Sequence, residues 1–148
     1  MNETIISGYI PGAVERVAEL HAQYYSAAWE FGLFFEAKVA TELSEFMRRF
    51  DERRDGFWVV SDSGRVEGAI AVDGTKAEKE GAHLRWFILS EKLRGQGLGN
   101  GLLTEAVAFC RARSYRQIYL WTFRGLQPAR HLYEKFGFEL VEQRPGMQ

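Results

Sequence analysis

The chain has 148 residues, 46% of them hydrophobic and 26% charged, with a formal net charge of −1. That size and apolar content predict a single domain over residues 1–148 with a sizeable core, and the balanced charge excludes the basic surface that nucleic-acid binding needs. One cysteine excludes an internal disulfide, the start Met1-Asn2-Glu3-Thr4 has no signal-peptide pattern, and no run reaches the roughly 18 apolar residues of a membrane span, so the expectation is a soluble cytoplasmic protein without a membrane partner.

In chain order, Ile5–Ile10 reads as a strand closed by Pro11-Gly12. Ala13–Tyr24 reads as a helix with Val14, Val17, Leu20 and Tyr24 on one stripe. Tyr25–Phe35 reads as a loop or broken helix punctuated by Gly32, and Glu36–Phe50 as a second helix with Val39, Leu43, Phe46, Met47 and Phe50 on one face. After a charged turn, Phe57–Ser61 and Val66–Asp73 are strands around the hairpin signal Asp62-Ser63-Gly64. Gly74–Glu80 is a polar loop and Ala82–Leu89 a further strand. The helix predicted from Leu98 to Arg113 carries Leu102, Leu103, Ala106, Val107 and Cys110 on its inner face, where Cys110 reads as a small buried residue. A strand over Gln117–Phe123, a helix over Pro128–Phe136 and a strand over Phe138–Gln143 complete the order βααβββαβαβ. Hairpin-linked strands followed by a βαβ unit imply an α+β fold of three αβα layers. Its central sheet should be mixed and mostly antiparallel, with six to seven strands.

Between the strand ending at Leu89 and the helix starting at Leu98 stands Arg94-Gly95-Gln96-Gly97-Leu98-Gly99-Asn100-Gly101. Such a turn suits a phosphate. Glycines let the backbone approach an anion and take positive φ, the N–H groups of a first helical turn lack intrahelical partners, and the helix dipole favours negative charge. Arg94 adds a charge-assisted donor. A P-loop would need Lys then Ser or Thr after its last glycine, but Leu102 and Leu103 follow Gly101. A dinucleotide turn would need a third glycine at Asn100 or Leu102. The pattern that fits is Arg/Gln-x-x-Gly-x-Gly/Ala, on Arg94, Gly97 and Gly99.

This resembles the acyl-CoA pyrophosphate loop of the GNAT superfamily of N-acetyltransferases. A second block, Ala129-Arg130-His131-Leu132-Tyr133-Glu134-Lys135-Phe136-Gly137-Phe138, is similar to the family's A-x-x-L-Y-x-x-x-G-F segment and follows about 35 residues later, across one predicted strand. The wording of Leu84-Arg85-Trp86-Phe87-Ile88 and Leu120-Trp121-Thr122-Phe123 resembles the acetyltransferase half of bacterial proteins that also carry a MarR-type regulator. No such regulator is present in this sequence.

The resemblance implies roles. Backbone groups of Gly95, Gln96, Gly97, Leu98 and Gly99 would take the pyrophosphate, with Arg94 beside them. Backbone groups of Phe87, Ile88 and Leu89 would pair with the pantetheine arm and polarise the thioester. Tyr133 would be the general acid for the departing thiolate, the alternative being a tyrosine packed with Leu132 and Phe136. Many relatives have an asparagine where Leu126 stands here, and Thr122 or the backbone near Phe123 would replace its contact. The base is open between His83, Glu80 and ordered water. Arg85, on a strand expected to be central, should share a face with His83 and Phe87; it either pairs with an acid or binds an anionic acceptor group. Tyr24, Tyr25, Trp29, Phe31, Phe34 and Phe35 crowd the segment that lines the acceptor pocket in this family. About half of them are expected in the core, and Trp29 is the candidate acceptor contact.

The implied function is direct transfer of an acetyl group from acetyl-CoA to a primary amine of a small molecule or peptide, with no metal; the alternative is a non-catalytic CoA-binding sensor. The family also has a seventh strand between the fifth and sixth, and too few residues follow Gln143 to form one. The slot would then be filled from a longer form of the chain or by a partner, a homodimer among the options.

Overall fold

Four strands pair antiparallel in the order in which the chain makes them. They are β1 (Thr4–Ser7), β2 (Gly56–Asp62), β3 (Arg65–Asp73) and β4 (Ala82–Leu89), with β5 (Ile118–Tyr119) beside β4. The computed structural model describes residues 4–29 and 32–120. Contacts divide the chain into a unit Met1–Ile118 and a unit Tyr119–Gln148, and of the second only Tyr119 and Leu120 are among the described residues. The predicted helix over Pro128–Phe136, the strand over Phe138–Gln143 and the seventh-strand slot lie outside them. The described residues thus form five strands of a mixed sheet, where the sequence predicts six to seven for the whole chain.

Helices cover both faces. Toward α1 (Ala13–Trp29) and α2 (Leu33–Arg48) the sheet presents Phe57, Val59, Ala69, Ala71 and Ile88, packed with Val17, Leu20, Leu43 and Phe46. On the other face lies α3 (Leu98–Ala112), whose Leu102, Leu103, Ala106, Val107 and Cys110 are all buried as their spacing predicts. Trp58 of β2 meets Phe109 of α3 there, ring centroids 5.4 Å apart.

Several boundaries differ from the sequence reading. β1 stops at Ser7 instead of Ile10, because the Ile10 carbonyl is taken by the Ala13 N–H as the chain turns into α1. α1 continues past Tyr24 to Trp29, through a stretch that includes Ala27 and Ala28 and has no glycine or proline before Gly32. α2 then starts at Leu33, with Gly32 as its N-cap. A short 3₁₀ turn over Glu91–Leu93, which the sequence reading leaves out, follows β4.

Two bulges shape the sheet. Between Val60↔Gly68 and Ser61↔Val66 the β3 strand holds one extra residue, Glu67. Glu67 is put to use: its carbonyl accepts the Ser90 N–H at 2.7 Å, and its buried carboxylate meets Arg16 of α1 at 2.8 Å. Between Ala69↔Ile88 and Ala71↔Arg85 the extra residue is in β4, so that Trp86 and Phe87 together oppose Ile70. Trp86 takes φ +50° there, a conformation that costs a bulky residue energy and is kept by its surroundings.

Just past that bulge β4 packs tightly over Gly68 of β3. A Cβ built on Gly68 would lie 2.7 Å from a Leu89 methyl and 2.9 Å from the Ile88 carbonyl oxygen. Gly68→Ala should therefore push β3 and β4 apart and destabilise the protein by about 1–3 kcal/mol. Gly8→Ala, whose Cβ would meet only the Phe57 carbonyl at 4.0 Å, should be tolerated. Thermal unfolding of both variants checks this, and equal melting temperatures would contradict it.

Candidate functional site

β4 delivers the chain to the glycine turn and α3 carries it away. After the 3₁₀ turn, anchored by buried Leu93, Arg94 is extended (φ −67°, ψ 148°). Gly95 and Gly97 follow at φ +83° and +78°, which only glycine adopts without strain. Gly97 is the N-cap of α3 and offers no side chain to cap it. The first bond of the helix runs from the Gly101 N–H to the Gly97 carbonyl, so the N–H groups of Leu98, Gly99 and Asn100 have no intrahelical acceptor. A Cβ at Gly95 or Gly97 would meet nothing within 4 Å. These two glycines are therefore required by backbone conformation and leave open space beside the free donors. Gly101 has another reason: its Cβ would lie 3.1 Å from the Ile6 methyl of β1. The side-chain oxygens of Ser90 and Asn100, on either side of the turn, are buried without a partner among the described residues. Together, an uncapped helix start, positive-φ glycines with vacant Cβ space and an adjacent arginine fit a phosphate-bearing ligand.

Arg94 donates through Nε to the Leu89 carbonyl at 3.1 Å, and its guanidinium carbon lies 5.0 Å from the Tyr24 ring centroid. Tyr24 packs edge-on to Tyr25, which packs in turn against Phe35. Of the aromatic cluster around the α1–α2 junction, Tyr25 and Phe35 are buried, Tyr24 is half-buried and Phe34 is 84% exposed. Two of these four described aromatics are therefore core, which covers four of the six for which about half were expected there. Trp29 ends α1, and its side chain and Phe31 lie outside what the structure describes.

Arg85 is ion-paired, one of its two expected fates. It reaches Glu42 of α2 at 3.0 Å and Asp73 of β3 at 3.5 Å, and its guanidinium lies 4.0 Å from the Trp86 ring centroid. Asp73 also binds Arg49 at 2.7 Å and the Thr75 hydroxyl at 2.7 Å. Burial alone would raise the Asp73 carboxyl, but the hydrogen bonds from Arg49 and Thr75 pull it well below the usual carboxylate range. The expectation that Arg85 shares a face with Phe87 needs correction. Arg85 opposes Ala71 and Ile88 opposes Ala69. Ala69 and Ala71 lie on one face of β3, so Arg85 and Ile88 share that face although two residues, Trp86 and Phe87, lie between them. The bulge shifts the alternation by one, and Ile88 joins the core cluster in the place expected for Phe87.

The two candidate bases differ in setting. His83 opposes Asp73 and is half-buried; desolvation, reinforced by Arg85 and opposed by Asp73, lowers its pKa to about 4. It is neutral at pH 7 and a weak base there. Glu80 is exposed in the turn before β4. Thr122 and Tyr133 lie outside the described residues. A histidine that the sequence reading leaves out, His21 of α1, is 5% exposed, donates through Nδ1 to the Val17 carbonyl at 2.8 Å, and has its pKa lowered to about 4 by burial. Its place, four residues after Val17 on the apolar stripe, was the signal for it. Burial also pushes the Cys110 thiol up to about 11, which makes it a poor nucleophile. A cavity of about 570 Å³ lies at the other ends of β4 and α3, lined by Glu78, Gly81, Arg113, Tyr115, Arg116 and Gln117, and does not include the glycine turn. Among the described residues no cluster of metal-ligating side chains forms, and no helix is long and apolar enough to cross a membrane.

A profile described as the acetyltransferase (GNAT) family matches residues 14–138. An uncharacterised N-acetyltransferase of Methanocaldococcus jannaschii is 26% identical over 129 residues, covering 83% of this chain and 56% of that protein. The chain thus spans little more than half the length of that curated relative. Among solved structures, an acetyltransferase from Streptococcus agalactiae superimposes with a TM-score of 0.74 at 20% identity, covering 97% of this chain and 92% of the other. A predicted acetyltransferase from Clostridium acetobutylicum, solved with acetyl-CoA, superimposes at 0.69 and 15% identity, covering 100% and 96%. At these identities the structural likeness is one of fold.

Buried His21 and half-buried His83 generate a pH dependence. His21 and His83 stay neutral in the folded state down to about pH 4, while the unfolded chain protonates them near 6.5. The unfolded state binds more protons in that window, so stability should be full above pH 6.5 and fall as pH drops toward 4. The slope should approach about 1.4 kcal/mol per pH unit for each histidine. Denaturant unfolding between pH 4 and 7.5 measures this, and His21→Gln should flatten the curve. A flat wild-type curve would contradict the desolvation of both rings.

Proposed function

The chain belongs to the acetyltransferase (GNAT) family, and from that premise we propose that it transfers an acetyl group from acetyl-CoA to a primary amine. The observation that carries the reading is the start of α3: free backbone donors behind two positive-φ glycines, with open space where side chains would stand. Acetyl-CoA supplies a thioester, whose carbonyl an amine attacks directly and whose thiolate leaves. The residues of the chain do the rest.

Gly95 to Gly99 hold the pyrophosphate through backbone N–H groups, and Arg94 adds charge beside them. Phe87, Ile88 and Leu89 offer main-chain groups to the pantetheine amides as a strand would, and an N–H from this stretch polarises the thioester carbonyl. Tyr133 donates the proton that the thiolate takes, and Thr122 stands in for the asparagine that relatives carry nearby. No side chain forms an acyl intermediate, since Cys110 is buried with a raised pKa. With His83 held near 4 and Glu80 in open solvent, we assign removal of the amine proton to water rather than to a dedicated base. The pairing of Arg85 with Glu42 and Asp73 makes it a brace between α2 and β4 in this reading. The choice of acceptor then falls to the α1–α2 segment around Trp29. A cytoplasmic setting and a peptide or small-molecule acceptor belong to the same proposal.

Release of free thiol from acetyl-CoA across a panel of amines and peptides is the direct test. Thiol release that depends on the amine supports transfer. CoA binding without turnover on any amine would favour the CoA-binding sensor instead. Within that assay, Gly97→Val should abolish CoA binding, because a branched side chain strains φ +78° and fills the phosphate space. Tyr133→Phe should lower kcat by roughly 10–10³-fold with CoA affinity nearly intact. Unchanged turnover in the phenylalanine variant would return Tyr133 to a packing role.

A further inference from the structure

The glycine turn and α1 are far apart in sequence, yet one contact joins them: the Arg94 guanidinium lies over the Tyr24 ring at 5.0 Å from its centroid. Tyr24 is a firm platform. It is half-buried against the core cluster and braced edge-on by Tyr25 at 5.0 Å. Arg94 is exposed and, like any surface arginine, would otherwise sample many rotamers. Its Nε is bound to the Leu89 carbonyl at 3.1 Å, while its two terminal nitrogens make no hydrogen bond among the described residues. The side chain is therefore fixed along its length and against one face of its guanidinium, with donor groups left over, beside a turn whose backbone donors are also free.

We propose that Tyr24 is a positioning residue for the donor site. Its ring holds the Arg94 guanidinium in place before the ligand arrives, so that the turn meets a pyrophosphate with its side-chain charge already ordered. Ordering a group in advance removes that cost from the binding step. The inference rests on the acetyl-CoA reading of the turn and adds a specific role for one α1 residue. Tyr24 also touches Tyr25 and, through it, Phe35 of α2, so the residue that orders the phosphate contact is part of the aromatic cluster at the α1–α2 junction. The opposite arrangement would have the ring hold Arg94 away from the ligand, and it predicts the opposite sign.

Calorimetric titration with CoA and with pantetheine, which lacks the pyrophosphate, tests this on wild type, Tyr24→Phe, Tyr24→Leu, Arg94→Gln and the Tyr24→Leu/Arg94→Gln double variant. Tyr24→Leu should weaken CoA about 2–5-fold, the range of an exposed cation–π contact, and leave pantetheine unchanged. Tyr24→Phe keeps the ring and should match wild type. With Arg94→Gln already present, adding Tyr24→Leu should cost nothing further. Should Tyr24→Leu fold poorly, pentafluorophenylalanine at position 24 keeps the shape and reverses the ring's charge distribution, and it should give the same loss. Equal weakening of CoA and pantetheine would reduce Tyr24 to a structural role. Unchanged or tighter CoA binding would overturn the proposal. A wild-type protein that binds pantetheine but gains nothing from the pyrophosphate would overturn the reading of the turn itself.

Discussion

One surplus residue in β4 governs the arrangement around the glycine turn. Two residues, Trp86 and Phe87, occupy the space opposite Ile70, and the strand absorbs them by putting Trp86 at positive φ. A bulky residue holds that conformation only when its surroundings fix it. Here the surroundings are visible: the indole lies 5.5 Å from the Phe46 ring and 4.0 Å from the Arg85 guanidinium. Arg85 is in turn held by Glu42 and Asp73. The ionic cluster on the α2 side thus stabilises the irregular backbone that feeds the turn.

A bulge also interrupts the regular ladder, so the pairing of β4 with β3 is irregular at Trp86 and Phe87. The other bulge works toward the same place from the opposite strand. Glu67, the extra residue of β3, gives its carbonyl to Ser90 just after β4 and its carboxylate to Arg16 of α1. The entry to the turn is therefore tied to α1 through Glu67, and the turn itself is tied to α1 through Arg94 and Tyr24. Breaking a buried pair such as Arg16–Glu67 is costly because it strands a charge, which makes this anchoring stiff. Such stiffness suits the anion-binding role proposed for the turn, since mobile donors would lose in ordering what they gain in contact.

Much of this was legible in the sequence. The limits of β4 agree with the structure to the residue, and the inner face of α3 follows from its spacing alone. The backbone demand of the turn was legible too, because positive φ is a conformation that glycine takes without strain, and glycine is visible as a letter. Arg85 illustrates the boundary. Its charge on a central strand required a partner, and that much is elementary electrostatics; that the partners are Glu42 and Asp73 depends on α2 lying across β3 and β4. Period-two reasoning failed at Phe87 because an extra residue in one strand leaves no mark in its own composition. Only the partner strand's register shows it.

What the sequence determined by itself was local: helix and strand periods, the glycines of the turn, and the motif pair of Arg94-x-x-Gly97-x-Gly99 with Tyr133 that pointed to the family. These follow from backbone conformation and hydrophobic alternation, which depend on near neighbours. What the tertiary structure decided was non-local. The burial that lowers the pKa of His83 and His21, the ion pairs that occupy Arg85, the bulges that redirect β3 and β4, and the ring of Tyr24 beneath Arg94 all arise where segments distant in sequence meet. A side chain's charge state and its reach are set by the dielectric and the partners around it, and those exist only once the helices have packed on the sheet.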